Sequence, residues 1–157
     1  MLRDECEMKK VLAAVDGSDK SLEAADYAMS IANKEGAQLI ILNILDTEPW
    51  FYGQSAYGWA TEDVLRKVYA HEILERDKIL ANINEKAEKF NIQSKTEVLM
   101  SPRTTSTASA IVNYAEKEKV DLITIGTRGR TGITRMLLGS VASGVVTYAH
   151  CPVMIVK

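Results

Sequence analysis

The residues with the clearest chemical potential lie near the end of the chain, in the pattern Gly126-x2-Gly129-x9-Gly139-Ser140. Glycine allows backbone N–H groups to approach a ligand without a Cβ in the way. A helix that opens at Gly139-Ser140 offers N–H groups without intrahelical partners and the positive end of the helix dipole. Together these features suit an anion such as phosphate. The alternative is a glycine-rich loop that only turns the chain, because glycine motifs often match by chance.

Charge supports the phosphate interpretation. After Asp121 the chain has no carboxylate, and its remaining charged residues are Arg128, Arg130, Arg135 and Lys157. The formal net charge of the whole chain is −2. A local positive field beside open N–H groups favours phosphate binding.

Apolar patterning predicts the elements that hold this segment in place. Runs rich in branched apolar residues indicate strands buried on both faces. We predict strands at 10–15, 38–45, 92–100, 120–125 and 152–156, and helices from about 19 to 36, 62 to 90, 108 to 115 and from Ser140 onward. This β-α-β-α-β-α-β-α-β order predicts an α/β fold, with one parallel sheet covered by helices on both faces. Ligands bind such sheets beyond the carboxyl ends of the strands, here Val15-Asp16, Asn43-Ile44-Leu45 and Ile125-Gly126.

The glycine pattern resembles the nucleotide-binding signature of the universal stress protein family, in its ATP-binding branch. Three further segments resemble the family's first, second and last strands, in matching order: Val11–Ser18, Leu39–Leu45 and Cys151–Val156. The resemblance spans residues 9–157. It implies a single-domain, open twisted five-stranded parallel sheet of the Rossmann-like, adenine nucleotide alpha hydrolase-like class.

The resemblance also implies a ligand and roles for residues. The expected ligand is ATP, or ADP or AMP, with or without Mg²⁺. Asp16 and the backbone near Ile44 would face the adenine and ribose, and the glycine segment would hold the ribose and phosphates. The full set of implied nucleotide-binding residues is Ala14, Val15, Asp16, Ile44, Ile125, Gly126, Thr127, Arg128, Gly129, Gly139, Ser140 and Val141. The family further implies a homodimer through the last strand, Pro152 to Val156; the alternative is that this strand is simply the edge of a monomer.

Two of these residues have structural alternatives. Asp16 follows an apolar strand, so it is a weak candidate for a Mg²⁺ ion carried by the nucleotide, but it could instead form the turn or cap the next helix. Ser140 could cap the last helix, which does not exclude a contact between its hydroxyl and a phosphate oxygen. We expect no other metal site.

Other nucleotide chemistries do not match the sequence. The chain lacks the G-x-x-x-x-G-K-[ST] P-loop, and Asp16-Gly17-Ser18 stands where a dinucleotide fingerprint would follow the first strand. No residue is placed as a general base, since His71 lies in a charged helix and His150 is far from the glycine segment. We therefore expect no catalytic residues.

Residues 46–61 form a predicted loop insertion that holds both tryptophans. These aromatic residues could contact a partner or the mouth of the ligand site, or they could only cover the edge of the sheet. Residues 1–8 are predicted to be a flexible tail.

Composition and charge limit the remaining classes of function. The weak negative charge argues against nucleic-acid binding, no apolar run is long enough to cross a membrane, and residues 1–7 do not resemble a signal peptide. Cys6 and Cys151 are far apart and have no metal-ligand spacing, which is consistent with reduced thiols in a cytoplasmic protein. The sequence favours a nucleotide-binding regulatory module of the stress response. A slow ATPase or other nucleotide-dependent enzyme and a nucleotide-free interaction protein are the alternatives.

Overall fold

A computed structural model describes residues 7–47, 62–127 and 138–157. Its strands are β1 (Lys10–Ala14), β2 (Gln38–Thr47), β3 (Ser94–Pro102), β4 (Leu122–Gly126) and β5 (Val153–Val156). Its helices are α1 (Asp19–Glu35), α2 (Glu62–Val68), α3 (Ala70–Lys89), α4 (Thr107–Glu118) and α5 (Ser140–Tyr148). Strands and helices alternate along the chain as predicted, apart from the division of one predicted helix into α2 and α3.

The five strands form one parallel sheet in the order β3-β2-β1-β4-β5. The predicted fold class is therefore confirmed. The chain builds outward from β1 to β3 and then returns to the other side of β1 with β4. This reversal between β1 and β4 is the place where parallel α/β sheets open a crevice for ligands.

Strand alternation divides the core into two layers. Val11 and Ala13 of β1 pack with α1 and α3 on one face, while Leu12 and Ala14 pack with α4 and α5 on the other. All four side chains are buried. Because both faces of the central strands are covered, the strands are apolar throughout rather than alternating.

The structure corrects the predicted boundary of the second strand. β2 continues to Thr47, so residues 46 and 47 belong to the sheet and not to the predicted loop. The extension pairs with Ser101 and Pro102 of β3, and the buried Thr47 hydroxyl donates to the carbonyl oxygen of Ser101 at 3.1 Å. This partner comes from a segment 54 residues away, which local patterning does not reveal. The rest of the predicted loop, residues 48–61, and residues 1–6 of the predicted tail lie outside the described residues.

The predicted helix over residues 62–90 is also interrupted once, at Tyr69, whose φ of −97° and ψ of 18° depart from helical values. Hydrogen bonding continues across it: its N–H donates to the Leu65 carbonyl, and its own carbonyl accepts from the Ile73 N–H, both at 2.9 Å. The side chain of Tyr69 packs on the core beside Ile73. We interpret the interruption as a local distortion that turns this aromatic ring toward the core.

None of the helices in the described ranges combines the length and apolar character required to cross a bilayer.

Candidate functional site

A cleft opens at the carboxyl ends of β1, β2 and β4, beside the start of α4 and α5. Its walls comprise residues from three strand ends and from the first two turns of three helices, α1, α4 and α5: Ala14, Val15, Asp16, Ser21, Leu42, Asn43, Ile44, Thr107, Ile111, Ile125, Gly126, Thr127, Gly139, Ser140, Val141 and Ala142. This is the position that the order of strands predicts for a ligand. Apolar side chains and backbone groups dominate, with a few polar groups among them, as is usual for a small-molecule site.

The predicted site residues within the described ranges all line this one cleft. Arg128 and Gly129 lie outside the described residues, so their placement stays a prediction. The structure thus brings together segments more than 120 residues apart in sequence, such as Ala14 and Val141. That these residues bind a nucleotide also stays a prediction.

Asp16 forms the turn between β1 and α1. Its Oδ1 accepts hydrogen bonds from the Ser18 N–H at 3.0 Å and from the Ser18 hydroxyl at 2.6 Å. The hydroxyl oxygen of Ser18, Oγ, in turn accepts a hydrogen bond from the Ser21 N–H at 3.3 Å. The N-cap of α1 is therefore Ser18 and not Asp16. Gly17 lies between them at a φ of +86°, which favours glycine. The turn-forming alternative for Asp16 is therefore present in the structure. A role for Asp16 toward a nucleotide-bound Mg²⁺ ion stays a prediction.

The start of α5 is tied directly to the end of β4. The Thr127 N–H donates to the Val156 carbonyl at 2.8 Å, and the Thr127 carbonyl accepts from the Gly139 N–H at 2.8 Å. Thr127 therefore joins the ends of β4 and β5 to Gly139, the N-cap residue of the last helix. The two ends of the glycine signature meet through this residue at the cleft.

The three helices that contribute residues to the cleft, α1, α4 and α5, differ in their first turns. Ser18 and Ser106 cap α1 and α4 by accepting N–H bonds from Ser21 and Ser109. Gly139 provides no side-chain cap for α5, and the first turn of α5 has no acidic residue. The first hydrogen bond of α5 runs from the Ser143 N–H to the Gly139 carbonyl, so this ladder does not use the N–H groups of Ser140 and Val141. The uncapped N-terminus of α5 can accept an anion from the cleft.

The predicted nucleotide-binding set omits several lining residues: Ser21, Leu42, Asn43, Thr107, Ile111 and Ala142. Of these, Asn43 was predicted to lie at a strand end beside the ligand but was given no role. Asn43 is the most informative of them, because it is a buried polar residue within an apolar strand, 5% exposed. Its place in the run Leu42-Asn43-Ile44 was a visible signal, since a polar group buried in a strand needs partners. Thr107 and Ile111 enter the cleft from α4, and nothing in their local sequence indicates this.

Among the described residues that line the cleft, Asp16 is the single carboxylate, and no histidine is present. Within the described ranges, no group of three or more His, Cys, Asp or Glu side chains lies close enough to hold a metal ion. His71 is exposed on α3.

His150 and Cys151 lie at the opposite edge of the sheet, where the strands begin. A ring nitrogen, Nε2, of His150 lies 3.1 Å from the carbonyl oxygen of Val120. Burial, together with the nearby Asp121 carboxylate, raises the pKa of the Cys151 thiol. The thiol therefore stays protonated at neutral pH, which makes it a poor nucleophile. Neither side chain can take part in chemistry at the cleft.

Comparison with known proteins agrees with the fold. The sequence profile of the Universal stress protein family matches residues 7–157. The chain is 41% identical over 150 residues to universal stress protein MJ0531 of Methanocaldococcus jannaschii, covering 95% of this chain and 82% of that protein.

Solved structures agree as well. Universal stress protein UspA from Lactobacillus plantarum superposes with a TM-score of 0.77 at 25% identity, covering 98% of this chain and all of that one. A universal stress protein solved in complex with cAMP superposes with a TM-score of 0.64 at 27% identity, covering 96% and 98% of the two chains. The length of the profile match and the identity to MJ0531 lead to one conclusion: the chain belongs to the universal stress protein family.

Proposed function

We propose that the cleft binds an adenine nucleotide, ATP in the first instance, and that the protein acts as a regulatory binding module of the stress response. The observation that carries the proposal is the uncapped start of α5 at Gly139 and Ser140, facing a cleft at the reversal of strand order. Phosphate oxygens at this helix end would accept hydrogen bonds from backbone N–H groups, as the hydroxyl oxygens of Ser18 and Ser106 do in α1 and α4. The solved relative that binds cAMP supports a ligand with an adenine base and a phosphate.

The residues that line the cleft suit a nucleotide whose base lies on one side and whose phosphates lie on the other. Ala14, Leu42, Ile44 and Ile125 provide apolar walls near the ends of β1, β2 and β4. Such walls suit the flat, apolar faces of a purine. The phosphates would extend from there toward Ser140, as the family resemblance implies.

We propose a binding role rather than rapid catalysis. The Asp16 carboxylate already accepts two hydrogen bonds from Ser18 at its Oδ1, which holds it in the turn. Among the described residues that line the cleft there is no second carboxylate and no histidine to act as a general base. Turnover of ATP should therefore be far below the median enzyme rate of about 10 per second.

Introducing a negative charge at the start of α5 provides a sharp test. Ser140→Asp places a carboxylate at the N-terminus of the helix, where it should stabilise the fold by about 0.3–1 kcal/mol through the dipole. The same charge should repel a phosphate, so the affinity for ATP should fall at least tenfold in calorimetry. Asn113→Glu, which adds the same charge on the exposed face of α4, is the matched control and should leave affinity unchanged.

Calorimetry of the unmodified protein with ATP, ADP, AMP and cAMP decides the basic question. We expect micromolar affinity, about −8 kcal/mol, for at least one of them. Absence of binding by all four would refute the proposed function. Normal ATP affinity in the Ser140→Asp variant would show that the phosphates do not lie at α5.

A further inference from the structure

Strand β2 continues past the end of β1, and its backbone groups that face β1 change partners there. In a parallel pair, alternate residues of a strand direct both N–H and C=O toward the same neighbour. The Gln38 N–H donates to the carbonyl oxygen of Lys9 at 2.8 Å. Four residues later, the Leu42 carbonyl oxygen accepts from the Val15 N–H at 2.9 Å, so even-numbered residues of β2 face β1. The next bond of this series would run from the Ile44 N–H to the Val15 carbonyl oxygen.

Within the described residues that bond is absent, and a side chain donates to its acceptor instead. The Nδ2 of Asn43 donates to the Val15 carbonyl oxygen at 2.6 Å. A carbonyl oxygen only accepts, so this contact assigns the amide nitrogen to the side facing Val15. By strand alternation the Asn43 side chain lies on the same face as Ile41 and Leu45, the face covered by α1 and α3. A carboxamide on that face therefore ends a ladder that backbone groups would otherwise extend.

The ladder stops where the cleft opens, and it leaves two backbone groups available. The chain turns away from the sheet after β1, where the Asp16 N–H donates to Ser21 Oγ at 3.3 Å. Strand β2 remains paired with β3 as far as Thr47. The N–H and C=O of Ile44 have no backbone partner in the described part of the chain. Because Ile44 is half-buried and lines the cleft, these groups can bond to water or to a ligand there.

We propose that Asn43 is a positioning residue, which ends the β1–β2 ladder at Val15 and so keeps the N–H and C=O of Ile44 available at the cleft. The carboxamide acts from the face of β2 opposite the side chains of Leu42 and Ile44, and it does not itself contact the ligand. The consequence for ligand affinity rests on the proposed function. The consequence for the ladder concerns the protein alone and is testable without a ligand.

An unpaired oxygen atom is the cost of this arrangement. Asn43 Oδ1 is buried, with less than 1 Å² exposed to solvent, and it has no hydrogen-bond partner. Among the described residues it is the single side-chain nitrogen or oxygen in that state. A buried acceptor without a donor destabilises the folded state, and a leucine here would avoid it. A stability loss of this kind is typical of residues that serve a site rather than the fold.

Hydrogen exchange of single backbone amides, measured by NMR, tests the ladder directly. In the wild type the Ile44 N–H should exchange about 100-fold faster than the Leu42 N–H, which lies inside the β1–β2 ladder. Asn43→Leu leaves the Val15 carbonyl without its side-chain donor. The carbonyl should then accept from the Ile44 N–H and slow its exchange about tenfold. Ile41→Leu, a change at a buried position on the same face, is the matched control and should leave Ile44 exchange unchanged.

Calorimetry with ATP tests the consequence for the cleft. Asn43→Leu should bind ATP about tenfold more weakly than the wild type, because the Ile44 N–H is then used by the ladder. Its urea midpoint should stay equal or rise, because the unpaired acceptor is gone. A purely structural role for Asn43 predicts the opposite result, a lower urea midpoint with Ile44 exchange unchanged.

Equal exchange rates for Ile44 and Leu42 in the wild type would overturn the proposal, and this measurement does not depend on the folding of any variant. An unchanged Ile44 rate in folded Asn43→Leu would also overturn it, as would slowed exchange with unchanged ATP affinity. If no adenine nucleotide binds the wild type, the proposed function fails. The exchange rates of Ile44 would still decide whether Asn43 ends the ladder.

Discussion

Gly126 packs against the backbone of Lys20, at the point where β4 meets the first turn of α1. A methyl group on Gly126 would lie 2.7 Å from the carbonyl carbon of Lys20 and 2.9 Å from its oxygen. These distances are too short for any side chain, and the obstacle is backbone that cannot rotate away. The first glycine of the signature therefore serves helix packing at the cleft. The sequence suggested only that it would allow a ligand to approach.

Gly126→Ala should lower the free energy of unfolding by about 1–3 kcal/mol, because it overpacks a rigid contact. Urea unfolding monitored by circular dichroism would measure this change in stability. Gly139→Ala is the matched control, since its methyl would lie 3.1 Å from the Thr127 carbonyl and its φ of −67° is ordinary for alanine. We expect a smaller loss there, and equal midpoints for Gly126→Ala and wild type would contradict the packing role.

Gly144→Ala should also destabilise the protein, although alanine is normally favoured over glycine inside a helix by about 1 kcal/mol. A methyl at Gly144 of α5 would lie 2.6 Å from the Cβ of Ala108 in α4. The double variant Gly144→Ala with Ala108→Gly should recover part of the loss, because it removes the opposing methyl. A double-mutant cycle in urea would reveal this coupling, and purely additive effects would refute the contact.

Tyr114 should make stability depend on pH in alkaline solution. Burial, followed by the hydrogen bond that its hydroxyl donates to Glu97 at 2.6 Å, raises the pKa of Tyr114 from 10.0 to about 12. The folded state thus holds the phenol proton more tightly than the unfolded state does. Its stabilising contribution is complete below pH 10 and is lost as the pH rises from about 10 to about 12.

Tyr114→Phe should remove this alkaline loss while leaving the rest of the pH profile in place. Urea midpoints measured from about pH 9 to about pH 12, a range that includes both pKa values, would reveal the difference. Ultraviolet titration of the tyrosinate band offers an independent check. An unchanged profile in the phenylalanine variant would show that another group is responsible.

We expect a homodimer that pairs β5 with its symmetric copy. Val153 and Ile155 pack toward α4 and α5 and Met154 toward the other layer, as strand alternation predicts. The bonds Ile123 N–H to Pro152 O and Thr127 N–H to Val156 O show that even-numbered residues of β5 face β4. The N–H groups of Val153 and Ile155 consequently point to the outer edge, where the described part of the chain supplies no strand.

Ile155→Pro removes one outward N–H and should convert the dimer to a folded monomer, because proline is tolerated on an edge strand. Met154→Pro is the contrasting variant, since it breaks a bond to β4 and should destabilise the fold. Light scattering of the unmodified protein at tens of micromolar should give about twice the 17.4 kDa of one chain. A mass of one chain would refute the dimer.

Much of the architecture is readable from the sequence, because its causes are local. Continuous apolar runs such as Leu39–Leu45 predict strands buried on both faces, and helical spacing predicts α1 up to its Gly36 stop. The parallel order then places Asp16, Ile44 and Gly126 at one edge of the sheet, where they do line a single cleft. Boundaries were less predictable: the last two residues of β2 are held by β3, whose register the local pattern does not specify.

By itself the sequence determined the α/β class, the alternating order of elements and the edge of the sheet at which polar and glycine residues gather. These properties follow from periodicity and turn chemistry within short windows. The tertiary structure alone decided that Gly126 accommodates Lys20, that Asn43 keeps an acceptor without a partner, and that Thr127 ties the start of α5 to the ends of β4 and β5. Each of these depends on atoms from distant segments, Gly126 and Lys20 being one example, and such proximity arises only when the sheet brings the segments together.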